Sequence, residues 1–152
     1  MSDSLDKHPY DVALNYLLNM SSKAIANTAM TLFPENVYQR CLFHCWVKTV
    51  QNCQNPNLNP RFYTPNLIGA PGFGKSGLTY EFGEIVKPWL NGIAGGSVGF
   101  KVLVRTFAGI NDFADIMGIV HVDQQDFSTR LAPPVAFPRE GDKSFGILFI
   151  DD

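Results

Sequence analysis

The sequence predicts an α/β fold: a parallel sheet with flanking helices, preceded by an N-terminal helical pair. Three observations predict it. After Phe62, apolar runs of strand length alternate with segments of helical period. A glycine-rich turn, GAPGFGKS over Gly69–Ser76, stands between a short apolar run and a helical segment. The final run, FGILFIDD, delivers two acids, Asp151 and Asp152, to the end of an apolar stretch of the buried parallel-strand kind.

The elements follow in order. Residues from about Tyr10 to Leu32 read as one helix, with Ala13, Tyr16, Leu17, Met20 and Ala24 at helical spacing. Pro34 suits the first turn of a second helix, which runs to about Val50 and carries Val37, Cys41, Cys45 and Trp46. The segment from Gln51, QNCQNPNLNPR, is dense in Asn and Pro and reads as a loop. A short strand ends at Leu67 and Ile68, its start made irregular by Pro65. After the glycine turn a helix runs from about Lys75 to Leu90, and Gly92, Gly95 and Gly96 punctuate its exit. Lys101–Thr106 is a second strand, and Asp112–Met117 reads as a short helical turn. Ile119–Thr129 reads as a hairpin or an extended loop, and Pro133, Pro134 and Pro138 forbid regular structure nearby. Gly146–Ile150 is the last strand. The expected division is a helical segment over 1–60 and a nucleotide-binding core over 61–152.

Composition narrows the function. The apolar fraction of 45% is enough for a core, and 17% charge argues against disorder driven by repulsion. A net charge of −2 lacks the basic excess of a nucleic-acid surface, so nucleic acid is not the expected partner. No run approaches the roughly 18 apolar residues of a membrane span, and MSDSLDKHPY has no apolar signal-peptide core. The expected compartment is the cytoplasm, where Cys41, Cys45 and Cys53 stay free thiols. Cys41, His44 and Cys45 lack a second Cys/His pair at zinc spacing. Cys41 and Cys45 are instead expected on one core-facing side of a helix.

The strongest motif is the phosphate loop, which fits G-x-x-x-x-G-K-[ST] in full. Gly69, Gly72 and Gly74 permit backbone turns that other residues resist. With Ala70, Pro71 and Phe73 between them, they aim backbone N–H groups at an anion. The helix that follows adds the positive end of its dipole, with Gly77 in its first turn. Lys75 is expected on the β- and γ-phosphates, and the Ser76 hydroxyl on Mg2+. In FGILFIDD, an acid at the carboxyl end of a parallel strand sits where open α/β sheets bind ligands. Asp151 is therefore the expected magnesium acid, and Asp152 the residue that orients or deprotonates the attacking water.

From about Thr64 onward the chain resembles a MoxR-type ATPase of the AAA+ superfamily, a P-loop NTPase. The resemblance rests on the phosphate loop, on RTFAGINDFADIMGI over Arg105–Ile119, and on LAPPVAFPREGDKSFGILFIDD running into a Walker B strand. It implies Mg-ATP as cofactor, with Gly72, Gly74, Lys75 and Ser76 on phosphates and magnesium. It also implies ATP hydrolysis coupled to remodelling of a protein client, a homo-oligomeric ring, and a von Willebrand A-type partner. Val122–Arg130 correspond to the family's pore-facing insertion. Where the family has Glu after the magnesium acid this chain has Asp152, one methylene shorter, which implies weaker hydrolysis. Family members continue with a sensor residue, an arginine finger and a helical lid, so the resemblance implies a core that is incomplete at its C-terminus. The phosphate-loop strand and the Walker B strand are then not neighbours in the sheet. Hydrolysis by this chain alone is expected to be absent or very slow, since an arginine finger is worth about 10³–10⁵ in rate.

Two other readings stay open: a P-loop kinase or GTPase, against which the lack of an N-K-x-D motif counts, and a nucleotide-binding module without turnover. Trp46 and Trp89 read as core residues. His8, His44 and His121 have no acid–base partner at informative spacing, and Arg130 and Arg139 read as loop arginines.

Overall fold

The computed structural model describes residues 7–54, 63–106, 118–132, 134, 137–139 and 141–151. The described residues form an α/β arrangement with four helices, a parallel strand pair and an antiparallel strand pair. They fall into two compact units. The first comprises Met1–Val102 with Lys143–Ile147, and the second Leu103–Asp142 with Leu148–Asp152.

In the first unit the chain between Pro9 and Leu32 is two helices, α1 (Pro9–Leu18) and α2 (Ser22–Leu32), where the apolar period predicts one. The break is made by polar caps. Asn19 ends α1 and turns its amide back onto the Asn15 carbonyl at 2.8 Å. Ser21, in extended conformation, accepts the Ala24 N–H at 3.1 Å and starts α2. Gln51, from α3 (Val37–Cys53), then donates to the carbonyls of Leu17 and Met20, both at 2.9 Å. Orphan carbonyls of a helix end are thereby satisfied. Replacing Ser21 with alanine is expected to cost about 1 kcal/mol, read as a fall in the urea midpoint at unchanged slope.

Helix α3 begins three residues after Pro34. Asn36 is its N-cap, accepting the Gln39 N–H at 3.0 Å, and Pro34 lies in the preceding turn. The core face of α3 is Gln39, Phe43, Trp46 and Val47, at i, i+4, i+7 and i+8. Cys41 lies off this face and is exposed, and Cys45 is half-buried, which corrects the expectation that they share a core-facing side. Burial, together with the neighbouring Cys41 thiol, pushes the Cys45 thiol up from its ordinary range.

Helix α4 (Lys75–Ala94) extends one turn past the expected end. Gly92 lies inside it, and Gly95, at φ 66°, ends it. Its buried face is Thr79, Phe82, Gly83, Val86 and Leu90. Phe82 is fully buried and stacks on Phe33, with ring centroids 5.3 Å apart and planes 6° apart. Phe43, Trp46 and Phe100 complete the aromatic cluster around it. Gly83 is there because of a close approach. A Cβ at this position would stand 2.5 Å from the Val102 side chain, so glycine lets α4 settle onto β1 (Gly99–Thr106).

Strand β1 pairs with β4 (Ser144–Asp151). Gly99 abuts Ser144 and Gly146 abuts Lys101, so the contacts advance in the same direction along both strands and the pair is parallel. The two-strand pair corrects one expectation about burial. Phe145 is buried, but Leu148 and Ile150 are 47% and 52% exposed. The run therefore alternates, instead of being buried on both faces as strands covered by helices on either side are. A second correction concerns Leu67 and Ile68. Tyr63–Ala70 forms no strand, and Ile68 is 88% exposed. Among the described residues this segment joins no sheet and β4 pairs with β1. A strand is stabilised only by a ladder partner, and among the described residues this segment has none.

In the second unit, β2 (Ile119–Val122) and β3 (Thr129–Ala132) form an antiparallel hairpin, so of the two expected forms for this stretch the hairpin holds. The register pairs Ile119 with Ala132 and Val122 with Thr129. Pro134 and Pro138 are irregular, as expected; Pro133 and the turn expected at Asp112–Met117 lie outside the described residues. Among the described residues, no helix is long and apolar enough to cross a membrane.

Candidate phosphate-binding loop

Gly69–Gly74 form an exposed loop that leads straight into α4, whose first helical residue is Lys75. The glycines at 72 and 74 have φ of 88° and 76°, in the left-handed region that side chains resist. Phe73 lies between them with a negative φ, so the chain changes hand twice in three residues. Alternation of this kind turns successive N–H groups toward one concave side, which is how backbone nests hold anions. The loop is closed by a bond from the Phe73 N–H to the Ala70 carbonyl at 3.4 Å.

Gly74 is the N-cap of α4 and has no side chain with which to cap it. No acidic side chain lies in the first turn either. The N–H groups at this end therefore keep their partial positive charge for an external anion. The Lys75 ammonium folds back across the loop and donates to the Gly69 carbonyl at 3.0 Å. Lys75 and Ser76 are half-buried, whereas Gly77 is exposed. The structure thus brings together Gly69, Ala70, Pro71, Gly72, Phe73, Gly74, Lys75, Ser76 and Gly77 as one continuous surface feature of the first unit.

Asp151 ends β4 and is half-buried, in the second unit. Asp152, the expected base, lies outside the described residues. So does most of the Arg105–Ile119 stretch that carries part of the family resemblance.

No protein-family model matches this chain, and neither a curated protein nor a solved structure matches it. The functional argument therefore rests on the loop's own chemistry.

Among the described residues no group of three or more His, Cys, Asp or Glu side chains could hold a metal ion. Magnesium at a nucleotide site keeps several waters and takes only one or two protein oxygens, with phosphate supplying the rest. Hydroxyl and carboxylate oxygens are the hard donors this ion selects; Ser76 belongs to the first unit and Asp151 to the second.

The stretch Val122–Arg130 comprises the hairpin tip, residues 123–128, and the strand ends on either side of it. Asp123 and Asp126 organise it: Asp123 accepts the Gln125 N–H at 2.9 Å, and Asp126 accepts from Ser128 and from Arg130 at 3.0 Å. The Ser128 hydroxyl and N–H, with the Arg130 guanidinium, hold the Asp126 carboxyl below the usual carboxylate range. Arg130 also reaches Asp123 at 3.5 Å. Phe127 is 81% exposed, with φ 56°.

One residue near the loop escaped the sequence reading. Gln39 of α3 is 4% exposed, and its amide donates to the Leu78 carbonyl at 3.2 Å and to Glu81 at 3.0 Å. Its signal was present in the spacing: Gln39 stands four residues before Phe43 and seven before Trp46, on the same face.

Proposed function

We propose that this chain binds Mg-ATP through the loop Gly69–Ser76. The observation that carries the reading is the coincidence of a complete phosphate-loop motif with left-handed backbone at Gly72 and Gly74 and a helix that begins at Lys75 without a side-chain cap. Lys75 is the residue for the β- and γ-phosphates and Ser76 the hydroxyl for magnesium; that Asp151 supplies the magnesium acid is what the family resemblance implies. Bound Mg2+ would neutralise charge on the β- and γ-oxygens. The protein's own contribution is to hold the N–H donors of the loop and first turn in place before the anion arrives, and to bring one ammonium to it.

The larger reading is a MoxR-type AAA+ module that couples ATP hydrolysis to remodelling of a protein client as a ring, with Asp152 as base and a von Willebrand A-type protein as partner. It is supported by the motif set alone. The alternative, a binding module without turnover, is separated from it by measurement. Titration with a fluorescent ATP analogue is expected to saturate at one site, to be competed by ATP and not by AMP, and to weaken when EDTA removes Mg2+. Absence of saturable binding at millimolar nucleotide would overturn the proposal. Steady-state hydrolysis measured beside it decides between the ATPase, which turns over, and the module, which binds only.

A further inference from the structure

We infer that Gln39 is a positioning residue for the phosphate loop, bracing the first turn of α4 from the N-terminal helices; the inference rests on the nucleotide-binding reading of Gly69–Ser76.

The first turn of α4 is weak by composition. Its N-cap is Gly74, which supplies no capping side chain. Gly77 lies inside the turn, and glycine is among the poorest helix formers. The loop in front of it is exposed from Gly69 to Gly74. A helix end of this kind frays, yet phosphate binding needs its N–H groups fixed in direction.

Two contacts oppose the fraying. Thr79 is 1% exposed and hydrogen-bonds the Lys75 carbonyl at 3.2 Å, which ties the turn to itself. Gln39 ties it to the core. Its amide reaches the Leu78 carbonyl, in the fourth residue of the helix, and Glu81 one turn on. Gln39 is in turn fixed by the packing of Phe43 and Trp46 on Phe82. A buried amide with two acceptors on one helix also has few other arrangements open to it, because a buried donor left unmade is costly.

Gln39→Met keeps the volume and removes the donors. Glu81 is exposed, so water takes over its lost partner. The expected result is a dissociation constant for the fluorescent ATP analogue raised about fivefold, the worth of one net hydrogen bond. In the nucleotide-free protein, amide exchange at Leu78 and Thr79 is expected to accelerate, while amides at Val86 and Leu90 keep the wild-type rate. A residue that served only global stability would speed all four alike. Wild-type affinity in Gln39→Met, or uniform acceleration along α4, overturns the inference and leaves the nucleotide site standing. Failure of the wild-type protein to bind the analogue overturns the nucleotide reading and this inference with it.

Discussion

Replacing Lys75 with alanine is expected to weaken Mg-ATP binding by about ten- to a hundredfold. A hydrogen bond to a charged partner contributes about 1.5–3 kcal/mol, and every 1.4 kcal/mol is a factor of about ten in affinity. Among the described residues the ammonium's hydrogen bond is to the Gly69 carbonyl of an exposed loop, so its removal should leave the urea midpoint almost unchanged. The two readouts separate a ligand contact from a structural one. Equal affinity of wild type and Lys75→Ala for the fluorescent analogue would remove the loop from the binding site.

The second large effect concerns the helix behind that loop. Phe82→Ala is expected to destabilise the fold by about 3–5 kcal/mol, because it empties a fully buried site among Phe33, Phe43, Trp46 and Phe100. Domains of this size hold about 5–15 kcal/mol in all, so a large share of the protein would be unfolded under mild denaturant. Tyr80, two residues earlier on the same helix, is 50% exposed, and Tyr80→Ala is expected within about 0.5 kcal/mol of wild type. Urea titration of both variants checks the contrast. Similar midpoints for the two would mean that α4 does not anchor the core.

The features that could be read from sequence are those whose causes are local. The turn at Gly72 and Gly74 needs a positive φ that glycine alone accepts freely, and the start of α4 at Lys75 follows from it. Trp46 is buried and Trp89 packs edge-on against Phe43, as their apolar bulk implies. The features that escaped have distant causes or compete with a regular pattern. The apolar period through Leu17, Met20 and Ala24 continues across Asn19–Ser21, and only the caps reveal that two helices meet there. Leu67 and Ile68 look like a strand, but a strand exists only with a partner, and short-range pattern does not report partners. Cys41 and Cys45 do share a helical spacing. The core, however, took the adjacent stripe of Gln39, Phe43, Trp46 and Val47, which contains the larger side chains. At the candidate site the glycine turn and the helix after it were legible, but the strand expected before it did not form, and the Gln39 contact to α4 showed only as helical spacing, since a buried amide carries no motif.

The hairpin β2–β3 has a practical consequence for anyone who handles the protein. Ile119, Val120, Val122 and Leu131 are each more than half exposed, and among the described residues each strand has only its hairpin neighbour in the sheet. Strand edges with unspent N–H and C=O groups and apolar flanks are templates for addition of further strands. The acids that could blunt such a template, Asp123 and Asp126, lie in the turn and engage Arg130 of β3. The rest of the stems, Ile119, Val120 and Leu131, carries no charge, so self-association on concentrating the sample is expected to begin there, and a lysine placed at Val120 is expected to reduce it.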